Sequence, residues 1–132
     1  MKTKQIATKL MVTDLDAADV FYRDIIGLTP VSRQLNGEGE WEQEQSFFKT
    51  GEEAGAPMLH LCRYANRAAP KAGAAWLGLL VSGLGDMVPA VERSGGKVLM
   101  PITVVEGHGV KVAIVTDPEG HLLELLEMLE TH

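Results

Sequence analysis

Residues 117–128 read DPEGHLLELLEM, and this stretch decides the fold. Its first four residues include Asp, Pro and Gly, a composition typical of a tight turn. The largely apolar run that follows predicts a strand with Glu124 in its middle and a second glutamate, Glu127, near its end. A similar strand is predicted at residues 57–64, PMLHLCRY, where His60 takes the place of Glu124. The chain therefore contains two related strands, each with one potential ligand side chain at its centre.

The elements before these two strands also repeat. Val12, Leu15 and Gly27 have counterparts 69 residues later in Val81, Leu84 and Gly96. From the glycine to the central polar residue, Gly27 to His60 spans 33 residues and Gly96 to Glu124 spans 28, a difference that loops can absorb. Repetition of a whole unit is stronger evidence of architecture than any single strand.

Hydrophobic periodicity and turn residues define the elements of each half. The first half predicts a strand at 5–12, a helix that starts after Asp14 and ends at Gly27, and strands at 28–34, 41–50 and 57–64. The second half predicts a strand at 76–81, a helix at 84–94, and strands at 97–102, 110–116 and 121–128. The predicted fold class is α+β, with one domain (1–132) built from two βαβββ modules. The modules cover about 5–64 and 76–129, and an alanine-rich linker covers 65–75.

The composition limits the functions to consider. The net charge is −6 with no cluster of Lys or Arg, which argues against a nucleic acid or a membrane surface as partner. No apolar run approaches the roughly 20 residues that cross a bilayer, and the N-terminus has no signal-peptide pattern. The single cysteine, Cys62, cannot form an internal disulfide. We expect a cytoplasmic protein that binds a small molecule or another protein.

Several short motifs resemble the vicinal oxygen chelate superfamily, which contains glyoxalase I, extradiol dioxygenases and the bleomycin and fosfomycin resistance proteins. The motifs are Val12-Thr13-Asp14-Leu15, Phe21-Tyr22, Ile26-Gly27-Leu28, Asp117-Pro118-Glu119-Gly120-His121 and Leu123-Glu124-Leu125. The resemblance implies that the two modules form a curved mixed-sheet cup around one cavity, and that the protein is a homodimer. It identifies a fold much better than a reaction.

The resemblance also implies where a metal would bind. Metal-dependent members carry His, Glu or Gln at one position on the first and last strand of each module, and these positions here are Ala7, His60, Trp76 and Glu124. Ala7 and Trp76 offer no metal donor. We therefore predict no metal cofactor. The alternative is a divalent ion such as Zn, Ni or Fe held by His60, Cys62 and Glu124.

Counting by twos from these positions predicts the cavity lining. The ligand-binding residues expected are Lys9, Met11, Met58, Cys62, Trp76 and Leu122. Such an apolar, methionine-rich lining is suited to a small, partly hydrophobic organic molecule. His60 and Glu124 are either a catalytic pair, with His60 as general base, or two polar groups that satisfy each other. A metal-dependent lyase or dioxygenase, and a protein-binding module without a substrate, remain alternatives.

Overall fold

The computed structural model describes residues 1–129. The predicted domain also includes residues 130–132, His132 among them, which lie outside the described part. The elements in chain order are β1 (Ala7–Met11), α1 (Leu15–Val20), a π-helical segment (Phe21–Ile25), β2 (Thr29–Asn36), a 3-10 turn (Gly39–Trp41), β3 (Gln43–Lys49), β4 (Met58–Tyr64), β5 (Trp76–Leu80), α2 (Leu84–Arg93), β6 (Lys97–Val105), β7 (Val110–Thr116) and β8 (Leu122–Met128). The chain divides into two compact units, the first ending at Pro70 and the second beginning at Lys71.

Each unit contains one four-stranded mixed sheet. The strand order is β1-β4-β3-β2 in the first sheet and β5-β8-β7-β6 in the second. In both sheets the first and last strands of the unit pair in parallel, and the other neighbours pair antiparallel. The two sheets have the same topology, so the predicted α+β fold with two βαβββ modules is confirmed.

In the first unit, the core lies between the helical segment and one face of the sheet. Leu59 and Leu61 of β4 and Phe48 of β3 are fully or almost fully buried, as are Phe21 and Tyr22. Side chains alternate between the two faces of a strand. Burial of Leu59 and Leu61 in this core therefore leaves the residue between them, His60, on the opposite face.

The second unit is built in the same way. Leu123 and Leu125 of β8 are fully buried, together with Leu84 and Val91 of α2. Glu124, between the two leucines, lies on the opposite face of the sheet, as His60 does in the first unit.

The two helices begin with different caps. Asp14 precedes α1, and its Oδ1 accepts a hydrogen bond from the Ala17 amide at 3.0 Å, as the sequence predicts. The residue before α2 is Gly83, which has no side chain. The Glu127 carboxylate of β8 accepts from the Gly83 amide at 2.7 Å and from the Leu84 amide at 3.3 Å. A side chain distant in sequence thus accepts the hydrogen bonds of the amides at the start of α2, because Gly83 has no side chain that could do so.

The helix ends are offset by one residue between the units. The glycines with positive φ that follow the helical segments are Gly27 (φ +87°) and Gly95 (φ +94°), so the prediction that Gly96 corresponds to Gly27 is wrong by one residue. The cause is the π-helical segment Phe21–Ile25, where the Ile26 amide bonds to the Phe21 carbonyl five residues earlier. A π turn adds one residue to a helix without changing its direction much.

Two predicted boundaries also shift. Strand β6 continues to Val105 instead of ending at 102, and it passes Pro101 through irregular pairing with β7. Such a proline is tolerated because β6 is at the edge of its sheet. In the first unit, β3 begins at Gln43, and Trp41 lies in the preceding 3-10 turn.

Position 96 requires a glycine because neighbouring atoms of Thr116 and Val91 leave no room for a Cβ atom. A Cβ at this position would overlap the carbonyl oxygen of Thr116 and come within 2.6 Å of the Val91 Cγ1 atom. We predict that Gly96→Ala lowers the free energy of unfolding by roughly 1–3 kcal/mol, the usual cost of overpacking. The matched control is Gly85→Ala in α2, where a Cβ meets no atom within 4 Å. This variant should raise stability by about 0.4–1 kcal/mol. Urea unfolding measures both, and equal effects would contradict the packing argument.

Candidate functional site

The candidate site is the face of the first sheet that points away from the helical segment, here called the His60 face. The register places Lys9 opposite His60, Met11 opposite Cys62 and Ala7 opposite Met58. Strand β3 adds the residues opposite Tyr64, Cys62, His60 and Met58. The His60 face therefore consists of Ala7, Lys9, Met11, Gln43, Gln45, Phe47, Lys49, Met58, His60, Cys62 and Tyr64.

His60 is half-buried and lies edge-to-face against Phe47, with ring centroids 4.4 Å apart. Burial lowers the pKa of the imidazole from its ordinary 6.5, and the positive charge of Lys9 lowers it further. The ring is therefore neutral at neutral pH. Its Nδ1 atom is buried and has no hydrogen-bond partner within residues 1–129. Buried polar atoms normally have a partner, so this nitrogen keeps an unused hydrogen-bonding capacity.

A row of carboxamides extends across the sheet beside His60. Asn36 donates to the Gln45 Oε1 atom at 2.7 Å, and Gln45 donates to the Gln43 Oε1 atom at 3.2 Å. The Lys9 ammonium donates to the same Gln43 oxygen at 3.2 Å. These hydrogen bonds fix the direction in which the Lys9 side chain extends along the sheet.

Cys62 is fully buried beside this row. Gln45 Nε2 approaches its Sγ atom at 3.6 Å, within the range of a hydrogen bond to sulfur. Burial raises the pKa of the thiol, although the Gln45 hydrogen bond and the Lys9 charge act in the opposite direction. The neutral thiol is therefore favoured over the thiolate. In the first unit, Cys62 behaves as a packing residue.

The second unit presents a more apolar face. Trp76 pairs with Leu122, Gly78 with Glu124 and Leu80 with Leu126. Glu124 also pairs with Ile114 of β7, so its register neighbours carry no charge. The Trp76 side chain is 55% exposed. This face thus has a broad apolar surface around a single carboxylate.

The structure groups the sequence-predicted residues in two sets. Lys9, Met11, Met58, His60 and Cys62 share the His60 face of the first unit. Trp76, Leu122 and Glu124 share one face of the second unit. The predicted His60–Glu124 pair and the alternative set of His60, Cys62 and Glu124 both combine residues of different units, and both stay predictions.

Sequence reasoning missed the contribution of β3 and of the loop that follows β4. Gln43, Gln45 and Phe47 occur at alternate positions within the predicted strand 41–50, and this spacing of two could have placed them on one face. Arg67, in the loop that follows β4, gave no such signal, because it lies in the predicted linker and therefore outside every predicted strand.

Comparison with known proteins agrees with this architecture. Residues 4–125 match the family model of the Glyoxalase/Bleomycin resistance protein/Dioxygenase superfamily. The chain belongs to this superfamily. Because the match covers both units, the predicted resemblance is confirmed.

Several named proteins are similar to this chain over most of its length, at modest sequence identity. A probable lactoylglutathione lyase of Vibrio parahaemolyticus is 28% identical over 91% of this chain and 87% of that protein. The lactoylglutathione lyase of Haemophilus influenzae is 27% identical over 94% of this chain and 92% of that protein. Among solved structures, a glyoxalase family protein from Bacillus cereus aligns with a TM-score of 0.77 at 21% identity, covering 98% of this chain and 95% of that chain. Glyoxalase I from Zea mays aligns with a TM-score of 0.75 at 19% identity, covering 97% of this chain and 46% of that chain.

The residues of each unit do not fit a divalent metal ion. Taken separately, neither unit brings three His, Cys, Asp or Glu side chains together as a metal site within residues 1–129. Metal sites normally use at least three protein ligands. Ala7 has only a methyl group, and the Trp76 indole only an N–H donor. The Lys9 ammonium lies on the same face, where it donates to the Gln43 Oε1 atom and where its charge lowers the pKa of His60.

Within residues 1–129, no helix has the length and apolar character needed to cross a bilayer.

We predict that Lys9→Gln raises the pKa of His60, because the substitution removes one of the two causes that lower it. Burial remains, so the pKa should stay below 6.5. Lys49→Gln, on the same face but opposite Met58, is the matched control and should leave the pKa of His60 unchanged. NMR titration of the imidazole Cε1–H signal measures both variants. An unchanged pKa in Lys9→Gln, or the same rise in both, would contradict the electrostatic assignment.

Proposed function

We propose that this protein binds a small, partly hydrophobic organic molecule on the His60 face and does so without a metal ion. The observation that carries the proposal is the Nδ1 atom of a neutral His60, which is buried and has no hydrogen-bond partner in the described residues 1–129. An imidazole in this state is able to donate or accept one hydrogen bond with a ligand. A ligand that provides the missing partner removes the energetic penalty of a buried unsatisfied polar atom.

The neighbours of His60 support a ligand of mixed character. Phe47, Met11 and Met58 offer aromatic and thioether surface, and all three are partly accessible. The carboxamides of Gln43 and Gln45 and the Lys9 ammonium offer fixed polar groups on the same face. Small-molecule sites usually combine apolar walls with a few well-placed polar groups.

If the bound molecule reacts, His60 is the group that accepts or donates the proton. Its lowered pKa keeps the imidazole in the basic form at neutral pH, which is the state that a general base requires. Lys9 would stabilise negative charge that develops on the ligand, because its ammonium lies on the same face. The role of Glu124, as a partner that orients His60 or as a purely structural residue, remains a prediction.

Two features argue for a metal-free site. Ala7 and Trp76 lack metal donors, and the positive charge of Lys9, which lowers the pKa of His60, opposes a second positive charge beside the imidazole. Each of these would weaken the binding of a divalent ion, and the first removes half of the positions that metal-dependent relatives use.

A second candidate is a metal-dependent lyase, because several relatives that are 25–28% identical over about nine tenths of this chain are named lactoylglutathione lyase, some as probable. This function would need His60, Glu124 and at least one further ligand. It predicts turnover of lactoylglutathione in the presence of Zn²⁺, Ni²⁺ or Fe²⁺. It also predicts that Glu124→Ala abolishes both metal retention and turnover.

We also propose a cytoplasmic homodimer. Strand β2 is at the edge of the first sheet, and all eight of its residues are exposed. Strand β6, at the edge of the second sheet, carries the exposed apolar residues Leu99 and Val104. Exposed edge strands of this kind are surfaces that a second chain can cover.

The binding proposal is tested with the neutral probes 2-naphthamide and 4-phenylbutyramide. We expect NMR shift changes to concentrate on Phe47, Met58 and His60, and to be the same with and without EDTA. His60→Ala should weaken probe binding by roughly 5–10-fold, the equivalent of one hydrogen bond. His108→Ala, in an exposed turn of the second unit, is the matched control and should have no effect. Binding that depends on EDTA-sensitive metal, or that maps away from His60, would refute the proposal.

A further inference from the structure

Arg67 lies between two aromatic rings at the end of the His60 face. Its Cζ atom is 4.6 Å from the centroid of Trp41 and 4.8 Å from that of Tyr64. Tyr64 is on β4, on the same face as Cys62 and His60 and opposite Gln43. Arg67 therefore belongs to the His60 face, although it lies in the loop after the strand.

The segment that carries Arg67 is tied to the turn that carries Trp41. The Ala65 amide donates to the Glu42 carbonyl at 2.9 Å, and the Asn66 side chain donates to the Gly39 carbonyl at 2.8 Å. These bonds anchor the two segments that carry the rings. The two rings that contact the guanidinium are thus held near each other by bonds that need no ligand. The arrangement of Trp41 and Tyr64 around Arg67 is called the clamp below.

The clamp is connected to Lys9 through one glutamine. Gln43 donates from its Nε2 atom to the Trp41 carbonyl at 3.2 Å, and its Oε1 atom accepts from the Lys9 ammonium at 3.2 Å. Lys9 is paired with His60 in the strand register but reaches towards the level of Tyr64. The two cations therefore border the same stretch of sheet, between His60 and the clamp.

Among residues 1–129, neither cation has a carboxylate partner, in a protein with a net charge of −6. The ion pairs within residues 1–129 are made by Arg23, Arg33, Arg63 and Lys111. Within residues 1–129, Arg67 has aromatic rings against it but no ion pair, although Glu38, Glu40 and Glu42 are close in sequence to Trp41, one of those rings. When rings cover the faces of a guanidinium, its N–H donors remain available in the plane, where they match a carboxylate.

We propose that Arg67 and Lys9 recognise an anionic group, a carboxylate or a similar oxyanion, on the molecule that binds at the His60 face. This inference rests on the proposed binding function and narrows it to small organic anions. Tyr64 is four residues from His60 along β4, which corresponds to roughly 13–14 Å. A ligand with its anionic end at the clamp would lay an apolar body of one or two rings along the sheet from the clamp towards His60.

The inference is tested with matched pairs of probes that differ only in charge. The pairs are 2-naphthoate with 2-naphthamide, and 4-phenylbutyrate with 4-phenylbutyramide, titrated by calorimetry and mapped by NMR. We expect the wild-type protein to bind each anion at least about tenfold more tightly than its neutral partner, a preference that weakens as salt is added.

Variants assign this preference to the clamp. Arg67→Gln should weaken binding of the anions by roughly tenfold and leave the amides unchanged, which reduces the preference to nearly none. Arg67→Lys retains the charge but not the planar fork, so an intermediate loss is expected. Arg93→Gln, at the end of α2 in the second unit, is the matched control and should change neither affinity.

The outcomes separate the inference from the function on which it rests. Equal affinity for anion and amide in the wild-type protein, with both mapped to His60, overturns the inference and leaves the proposed function in place. The inference is also overturned if Arg67→Gln affects both members of a pair equally while the variant retains the wild-type NMR spectrum away from the loop. If neither probe of either pair binds at the His60 face, the proposed function fails and the inference fails with it.

Discussion

The parallel pairing of the first and last strands in each unit is the constraint on which the candidate site depends. In the first unit it sets Lys9 opposite His60 and Met11 opposite Cys62. Side chains alternate between faces, so a slip by one residue would move His60 into the core and Leu59 or Leu61 out of it. The buried leucines therefore fix the register, and the register fixes which groups surround the imidazole.

Charged side chains on the two faces of the first sheet have different kinds of partner. On the helix-facing side, Arg33 bonds to Asp16 at 2.6 Å, and Arg63 bonds to Glu44 at 3.0 Å. On the His60 face, Lys9 and Arg67 bond to an amide oxygen and to aromatic rings instead. The first arrangement neutralises charge internally, whereas the second leaves positive charge for a ligand. This contrast supports the proposal that the His60 face binds a ligand.

Much of the fold could be predicted because local rules determine it. The Asp117 turn is one example, since the Asp117 Oδ1 atom accepts from the amides of Glu119 and His121 at 2.9 Å each, a pattern that the residue types alone indicate. Repetition of the module gave the two strand centres, His60 and Glu124. The π turn after Val20 was not predictable, because its extra residue leaves the apolar spacing almost unchanged.

The candidate site was predicted only along single strands. Lys9, Met58 and Cys62 followed from counting by twos, but the Lys9–Gln43 bond depends on the lateral positions of β1, β4 and β3. The clamp around Arg67 depends on a turn and a loop that are 26 residues apart in sequence. Short-range patterns contain no information about such contacts.

The central claim is that the His60 face is arranged for an organic ligand and not for a metal ion. Elemental analysis of protein produced in medium supplemented with Zn, Ni, Fe, Co and Mn, and purified without chelators, tests this claim most directly. The account predicts far less than one metal ion per chain, with no difference between the wild-type protein and His60→Ala. One ion per chain that is lost in His60→Ala would contradict it.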